Sequence, residues 1–190
     1  NHGLTPQEIF FYRFLIAYIG IWAISPKHLF ADNLKDELWL VAGGVFGGSL
    51  YFFTENTALG ITQASNVAFI ICTAPLLTTI LSLLFYKSEK ATKGLIYGSL
   101  LALIGVGLVV FNGSVVLKLS PVGDLLTLLA ALSWAFYSLV IKRMTGRYPT
   151  VFITRKIFFY GVLTILPAFL LHPLQPDFDV LLQPLVLSNL

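Results

Sequence analysis

Glu55 is the acid placed where an acid is costly. It lies in Tyr51-Phe52-Phe53-Thr54-Glu55-Asn56-Thr57, late in an apolar run from Leu38 to Leu59. A carboxyl group drawn into hydrocarbon must be paired, hydrated or used. Arg13, in an earlier apolar run, is its natural partner. Arg13 sits about 9 Å below the start of its helix, counting a rise of about 1.5 Å per residue. Glu55 sits about 6 Å from the same-side end of the next, antiparallel helix by the same rise. The pair reads either as a gate or proton-linked acid near one mouth, or as a structural ion pair, with Glu55 reaching interfacial water as a third reading.

Other polar residues in the apolar runs are Asn56, Asn66, Thr73, Thr78 and Thr79. Threonines commonly bond their own backbone carbonyls, so the three threonines have a local explanation. A buried Asn66 amide needs partners beyond its own helix, whereas Asn56 also suits a helix end near Gly60. Ser133, Trp134, Tyr137 and Ser138 form a second cluster. Trp134 and Tyr137, three apart, share a helix face. They lie past mid-span, where an interfacial aromatic belt explains them only in part. They read as the wall of a cavity for an apolar or aromatic substrate, or as helix packing. The expected substrate-binding set is therefore Glu55, Asn56, Asn66, Thr73, Trp134 and Tyr137, with Arg13 and Glu55 as gate or ion pair. Arg155 and Lys156 lie one turn inside their helix and are expected to snorkel to the interface. His2, His28 and His172 fall at ends or loops, and Cys72 is the only cysteine. No paired acids share a helix face, so neither a metal site, a cofactor nor an intramembrane hydrolase is expected.

The elements that carry these residues must cross a bilayer. The chain of 190 residues is 57% hydrophobic and 11% charged, with mean hydropathy +0.85, whereas soluble domains carry about 25% charged residues. A hydrocarbon core about 30 Å thick takes roughly 20 apolar residues per helix. Six spans are expected, over 7–24, 38–59, 64–86, 94–111, 122–141 and 150–171. Pro6 suits a helix start. Gly43, Gly44, Gly47 and Gly48 form two interleaved small-xxx-small pairs, and Gly94 and Gly98 another, all expected at close helix packing. Pro75, at the middle of the third span, frees a carbonyl that a partner helix or cavity must satisfy. Asn112-Gly113-Ser114 reads as a turn that also fits a glycosylation sequon. No cleavable signal peptide is evident, since Arg13 interrupts the first apolar run.

Basic residues set the orientation. Lys27 and Lys35, Lys87, Lys90 and Lys93, and Lys142, Arg143 and Arg147 fall in one set of alternate loops, with only Lys118 in the other, eight against one. The positive-inside rule then places residue 1 outside. The net charge of +3 reads as topology rather than a nucleic-acid patch. A weak internal repeat accompanies it. Pro6 leads Arg13 by seven residues, and Pro149 leads Lys156 by seven, in helices that enter from opposite sides. A repeat of inverted orientation is the mark of many secondary transporters.

Several stretches resemble the EamA-type permeases of the drug/metabolite transporter superfamily. They are Pro6 with Arg13-Phe14-Leu15, Ala58-Leu59-Gly60-Ile61-Thr62-Gln63-Ala64-Ser65, Ala74-Pro75-Leu76, Ser88-Glu89-Lys90 and Leu132-Ser133-Trp134-Ala135. Ser88 stands where that family usually has glycine. The resemblance implies an all-α membrane protein with ten helices in two inverted repeats. Residues 1–114 would then hold helices two to five of the first repeat. Residues 115–190 would hold helices six and seven and the start of helix eight. The chain is accordingly expected to be a piece of a longer protein. The function so implied is a multi-pass secondary transporter of the plasma or inner membrane, exporting small metabolites or drug-like compounds. A sugar-nucleotide carrier of the same superfamily and a transport-inactive fragment are the alternatives. The expected partners are a small-molecule substrate and the lipid bilayer, with a homodimer left open and no nucleic acid.

Overall fold

The computed structural model describes residues 5–24, 29–86, 92–111 and 120–171. His2, Lys27, His28, Lys87, the Ser88-Glu89-Lys90 stretch, the Asn112-Gly113-Ser114 turn, Lys118, His172 and the tail after Leu171 lie outside the described residues. Every described element is helical, and no strand occurs among them. In chain order they are α1 (Pro6–Ile24), α2 (Leu34–Gly44), a π-helical turn (Val45–Ser49), α3 (Leu50–Ile61), α4 (Ala64–Ile71), α5 (Ala74–Phe85), α6 (Lys93–Phe111), α7 (Pro121–Thr145), α8 (Thr150–Ile165) and α9 (Ala168–Leu171). The stretches Gln7–Ile24, Ala64–Phe85, Pro121–Thr145 and Thr150–Leu170 are each long and apolar enough to cross a membrane, with Ile96–Gly105 as a shorter apolar helix.

Two expected spans differ in construction. The second is three consecutive pieces, α2, the π-helical turn and α3. The widened turn coincides with the glycine cluster, whose missing side chains let the backbone depart from α geometry. The third is divided into α4 and α5 at Cys72–Thr73. Pro75 therefore stands in the first turn of α5, where its absent N–H is an orphan in any case, rather than kinking one continuous helix.

The chain forms two compact units, one from residues up to Ser49 and from Met144 onward, the other from Leu50 to Arg143. In the first, α8 packs against α1, α2 and the π-helical turn. Glycine makes that packing close. A Cβ on Gly44 would lie 2.4 Å from the Tyr160 Cβ and 3.0 Å from the Gly161 nitrogen. One on Gly161 would lie 2.7 Å from the Phe14 ring, and one on Gly48 3.3 Å from the Gly161 Cα. Phe10, Phe14 and Phe158 fill the seam, with Phe14 edge-on to Phe158 at 4.9 Å between ring centroids. Side chains fix two helix starts: Thr5 and Glu8 bond reciprocally at the head of α1, and Asn33 accepts from the Asp36 N–H at the head of α2.

In the second unit, α4 packs on α6 and on α3, and α5 on α6. Its two ends are distinguishable. At one, the Ser120 hydroxyl donates to the Ile61 carbonyl at 3.3 Å, and a Cβ on Gly123 would meet the Thr62 side chain at 2.7 Å. At the other, the Tyr86 hydroxyl donates to the Leu139 carbonyl at 3.4 Å, and the Lys142 ammonium lies 5.1 Å from the Tyr86 ring. The turn at 60–63 thus shares an end with the start of α7, and the end of α5 shares an end with Lys142, as consecutive crossings require. Gly94 and Gly98 correct one expectation. No described atom lies within 4 Å of a Cβ built on either, so this small-residue pair on α6 makes no close helix contact within the unit.

Candidate functional site

The second unit gathers three of the expected residues around one that sequence reasoning missed. Tyr51 lies one turn before Glu55 on α3, and its hydroxyl donates to the Glu55 Oε1 at 3.1 Å. The Tyr51 ring meets the Trp134 ring at 5.1 Å between centroids, and Trp134 meets Tyr137 at 5.1 Å. Two elements build this constellation. The i to i+4 spacing on α3 stacks Tyr51 under Glu55, and the i to i+3 spacing on α7 places Trp134 beside Tyr137. The result is a wall of three contiguous rings with a carboxylate at its edge. Glu55 is half-buried, and within its unit no described cationic side chain lies within salt-bridge distance. The available signal for Tyr51 was a hydroxyl-bearing ring four residues from the buried acid.

Two of the remaining expected residues bond locally. The Asn56 amide donates to the Phe52 carbonyl of its own helix at 2.8 Å. Thr73 donates to the Ile70 carbonyl at 2.6 Å, at the junction of α4 and α5. Thr78 and Thr79 return to the Ala74 and Pro75 carbonyls, and Ser138 to that of Trp134. Asn66 is buried in the first turn of α4, at 3% exposure. Ser133 is buried on α7. Arg13 is exposed on α1 of the first unit, so the expected Arg13–Glu55 pair draws one member from each unit. Among the described residues no group of three His, Cys, Asp or Glu side chains comes together.

The first unit carries charge of another kind. Arg155 and Lys156 are buried at 2% and 3% exposure, which corrects the expectation that they snorkel to the interface. The physical reason is a local countercharge. Lys156 pairs with Glu37, which also accepts from the Tyr160 hydroxyl and, at 2.7 Å, from the Ala31 N–H. Lys156 donates to the Leu29 carbonyl at 3.1 Å, and its ammonium lies 4.8 Å from the Phe30 and Tyr160 ring centres. With its donors occupied, the ammonium has no need of water. Beside it, Asp36 accepts from Arg147 at 2.9 Å, from Tyr148 at 3.0 Å and from the Asn33 amide at 2.9 Å. This second cluster lies at the helix ends, where titration is simple to read. Burial pushes the Asp36 carboxyl up, but the bonds from Asn33, Arg147 and Tyr148 and the Arg147 charge outweigh it and hold it below the usual range. Burial, then the bond to Asp36, push the Tyr148 phenol up, against the opposing contact with the Asp32 N–H.

The model of the family described as EamA-like transporter matches residues 1–111. The chain is 32% identical over 149 residues to the uncharacterized transporter YdfC of Bacillus subtilis, covering 77% of this chain and 47% of that protein. It is 27% identical over 168 residues to an uncharacterized transporter of Archaeoglobus fulgidus, covering 86% of this chain and 57% of the relative. A solved crystal structure, 20% identical, has a TM-score of 0.70 and covers 92% of this chain and 61% of the other, which is a likeness of fold. The chain spans about half the length of the curated relatives it matches.

Proposed function

The chain belongs to the EamA-like transporter family, and from that premise we propose that the protein exports small metabolites or drug-like compounds by alternating access across the plasma or inner membrane. Its multi-pass helical character and its transporter relatives support the premise. The observation that carries the reading is Glu55. It is a half-buried carboxylate within an apolar helix, held by Tyr51 against the Trp134–Tyr137 wall and given no cation by its own unit. An intramembrane acid not neutralised by its packing partners is a functional group by default. In this reading Glu55, Trp134 and Tyr137 face the substrate, with Asn56, Asn66 and Thr73 as further polar contacts. Arg13 is kept from the sequence as a proposed gating residue. A second copy of the chain is part of the proposal only as a homodimer partner.

The test is export from vesicles carrying the full-length protein and loaded with neutral, anionic and cationic aromatic compounds. Glu55→Gln keeps the side chain's shape and removes its charge. The expected result is a lowered export rate with an altered pH dependence. An unchanged rate and an unchanged pH profile would remove Glu55 from the mechanism.

A further inference from the structure

We propose that the Tyr51–Trp134–Tyr137 wall with Glu55 at its edge binds an organic cation with an apolar or aromatic body. This rests on the transporter reading above and names the substrate class of that same site. Four observations converge on it.

The first is charge. Glu55 has a hydrogen bond from Tyr51 and no described cation of its own unit in reach. The described basic residues of the second unit are placed elsewhere: Lys93 is the first residue of α6, and Lys142 donates to the Ser82 hydroxyl at 3.1 Å and lies over the Tyr86 ring, with Arg143 beside it in sequence. The second is the wall itself. Ring faces carry the negative side of the aromatic quadrupole, and an ammonium within about 6 Å of a ring centre is attracted, most strongly to tryptophan. Trp134 occupies the middle of the three rings and is 40% exposed.

The third is the local polar groups. The hydroxyls of Thr54, Thr57 and Ser138 and one amide N–H of Asn56 are spent on carbonyls of their own helices. An anionic ligand would meet ring faces and a carboxylate, both of which repel it. A neutral one would gain only contact area. The fourth is depth. Tyr51 lies ten residues from the Ile61 end of its helix, about 15 Å at the helical rise. Trp134 lies thirteen residues from the start of α7, about 20 Å by the same rise. Both are near the middle of a hydrocarbon core about 30 Å thick, where a ligand's cation needs a countercharge and its body needs apolar wall. Tyr51 does two things there: its hydroxyl positions the carboxylate, and its ring continues the wall.

The test uses the full-length protein in nanodiscs and in vesicles. The probes are phenyltrimethylammonium, its neutral isostere tert-butylbenzene, and benzenesulfonate, with binding read from tryptophan fluorescence and calorimetry. The cation is expected to bind about 10-fold more tightly than the isostere, and Glu55→Gln to weaken the cation alone by about 10-fold. Tyr51→Phe keeps the ring and removes the bond that positions Glu55, and is expected to weaken the cation by about 3-fold, since the carboxylate itself remains. Matching melting temperatures establish that the variants fold. Equal or tighter binding of the neutral or anionic probe, no binding of the cation, or a selectivity that Glu55→Gln leaves intact would each overturn the proposal. Export of the neutral or anionic probe with no cation binding would sink the substrate class and leave the transporter reading standing. Glu55-dependent cation binding without export of any probe would do the reverse.

Discussion

The two units handle charge in opposite ways. In the first, Glu37 has Lys156, Tyr160 and the Ala31 N–H, and Asp36 has Arg147, Tyr148 and Asn33, so each acid meets a base and further donors within the unit. In the second, Glu55 has one phenol and a wall of rings. Both arrangements remove a carboxylate from water, and both incur a desolvation cost. In the first unit the surrounding protein offsets that cost at all times, so the charges fix the geometry of α2 against α8. In the second, the unit itself supplies Glu55 with one phenol and no described cation. Intramembrane charge is therefore not one category: a closed ion pair argues for architecture, and an acid given no base by its packing partners argues for traffic.

Breaking the closed side should have the largest effect. Lys156→Ala leaves the partly buried Glu37 beside Tyr160 without its cation, and removing one partner of a buried pair costs about 3–5 kcal/mol. The melting temperature of the full-length protein in detergent should fall accordingly. Replacing both members, Lys156→Met with Glu37→Gln, should recover most of the loss. A single variant as stable as the parent would mean that the first unit's pairing is not structural, and the contrast between the units would disappear.

A smaller effect should come from the packing that brings those charges together. Gly44→Val forces a side chain onto the Tyr160 Cβ and the Gly161 backbone, neither of which is the free end of a flexible chain. Overpacking of this sort costs about 1–3 kcal/mol. Gly98→Val, on α6 of the other unit, meets nothing within 4 Å and should leave stability within about 0.5 kcal/mol. Comparable thermal shifts for the two variants would show that α6 is covered in the full-length protein.

Much of this was legible before any coordinates. The spans announce themselves by apolar length, and Pro6 and Pro149 mark the heads of α1 and α8. Glu55 is visible because an acid in an apolar run must be paired, hydrated or used. Partners were harder. Sequence carries the period of a helix but not which face of which neighbour it meets, so Lys156 read as a cation near a helix end with water in reach. The clue was present: Glu37 and Lys156 belong to the same side of the membrane by the loop charges. Pro75 reads as a mid-span proline that frees a carbonyl, although a proline also fits a helix start, and the Cys72–Thr73 break reveals that choice. The π-helical turn has no pattern of its own; glycine permits it without requiring it.

The smallest expected effect tests the first unit at its water-facing edge. Asp36 is held below the ordinary carboxylate range, because the bonds from Asn33, Arg147 and Tyr148 outweigh burial. A group whose folded value is depressed contributes stability above its unfolded value, near about 4 for aspartate, and loses that contribution as pH falls through the folded value. Melting temperature should therefore decline on acidification below about pH 4, and Asp36→Asn should flatten that decline while leaving the plateau above it lower. Arg147 is 51% exposed, so solvent screening keeps the effect below that of Gly44→Val and makes it shrink with added salt. Tyr148 gives the mirror case. Its folded value is raised, so its contribution is complete below its unfolded value near about 10 and fades as pH climbs beyond it. Tyr148→Phe should remove the alkaline slope and leave a shallower acid slope, since Asn33 and Arg147 still hold Asp36. A variant that removed both slopes together would mean that Asp36 and Tyr148 titrate as one group, and that the helix-end cluster is as tightly closed as the pair around Glu37.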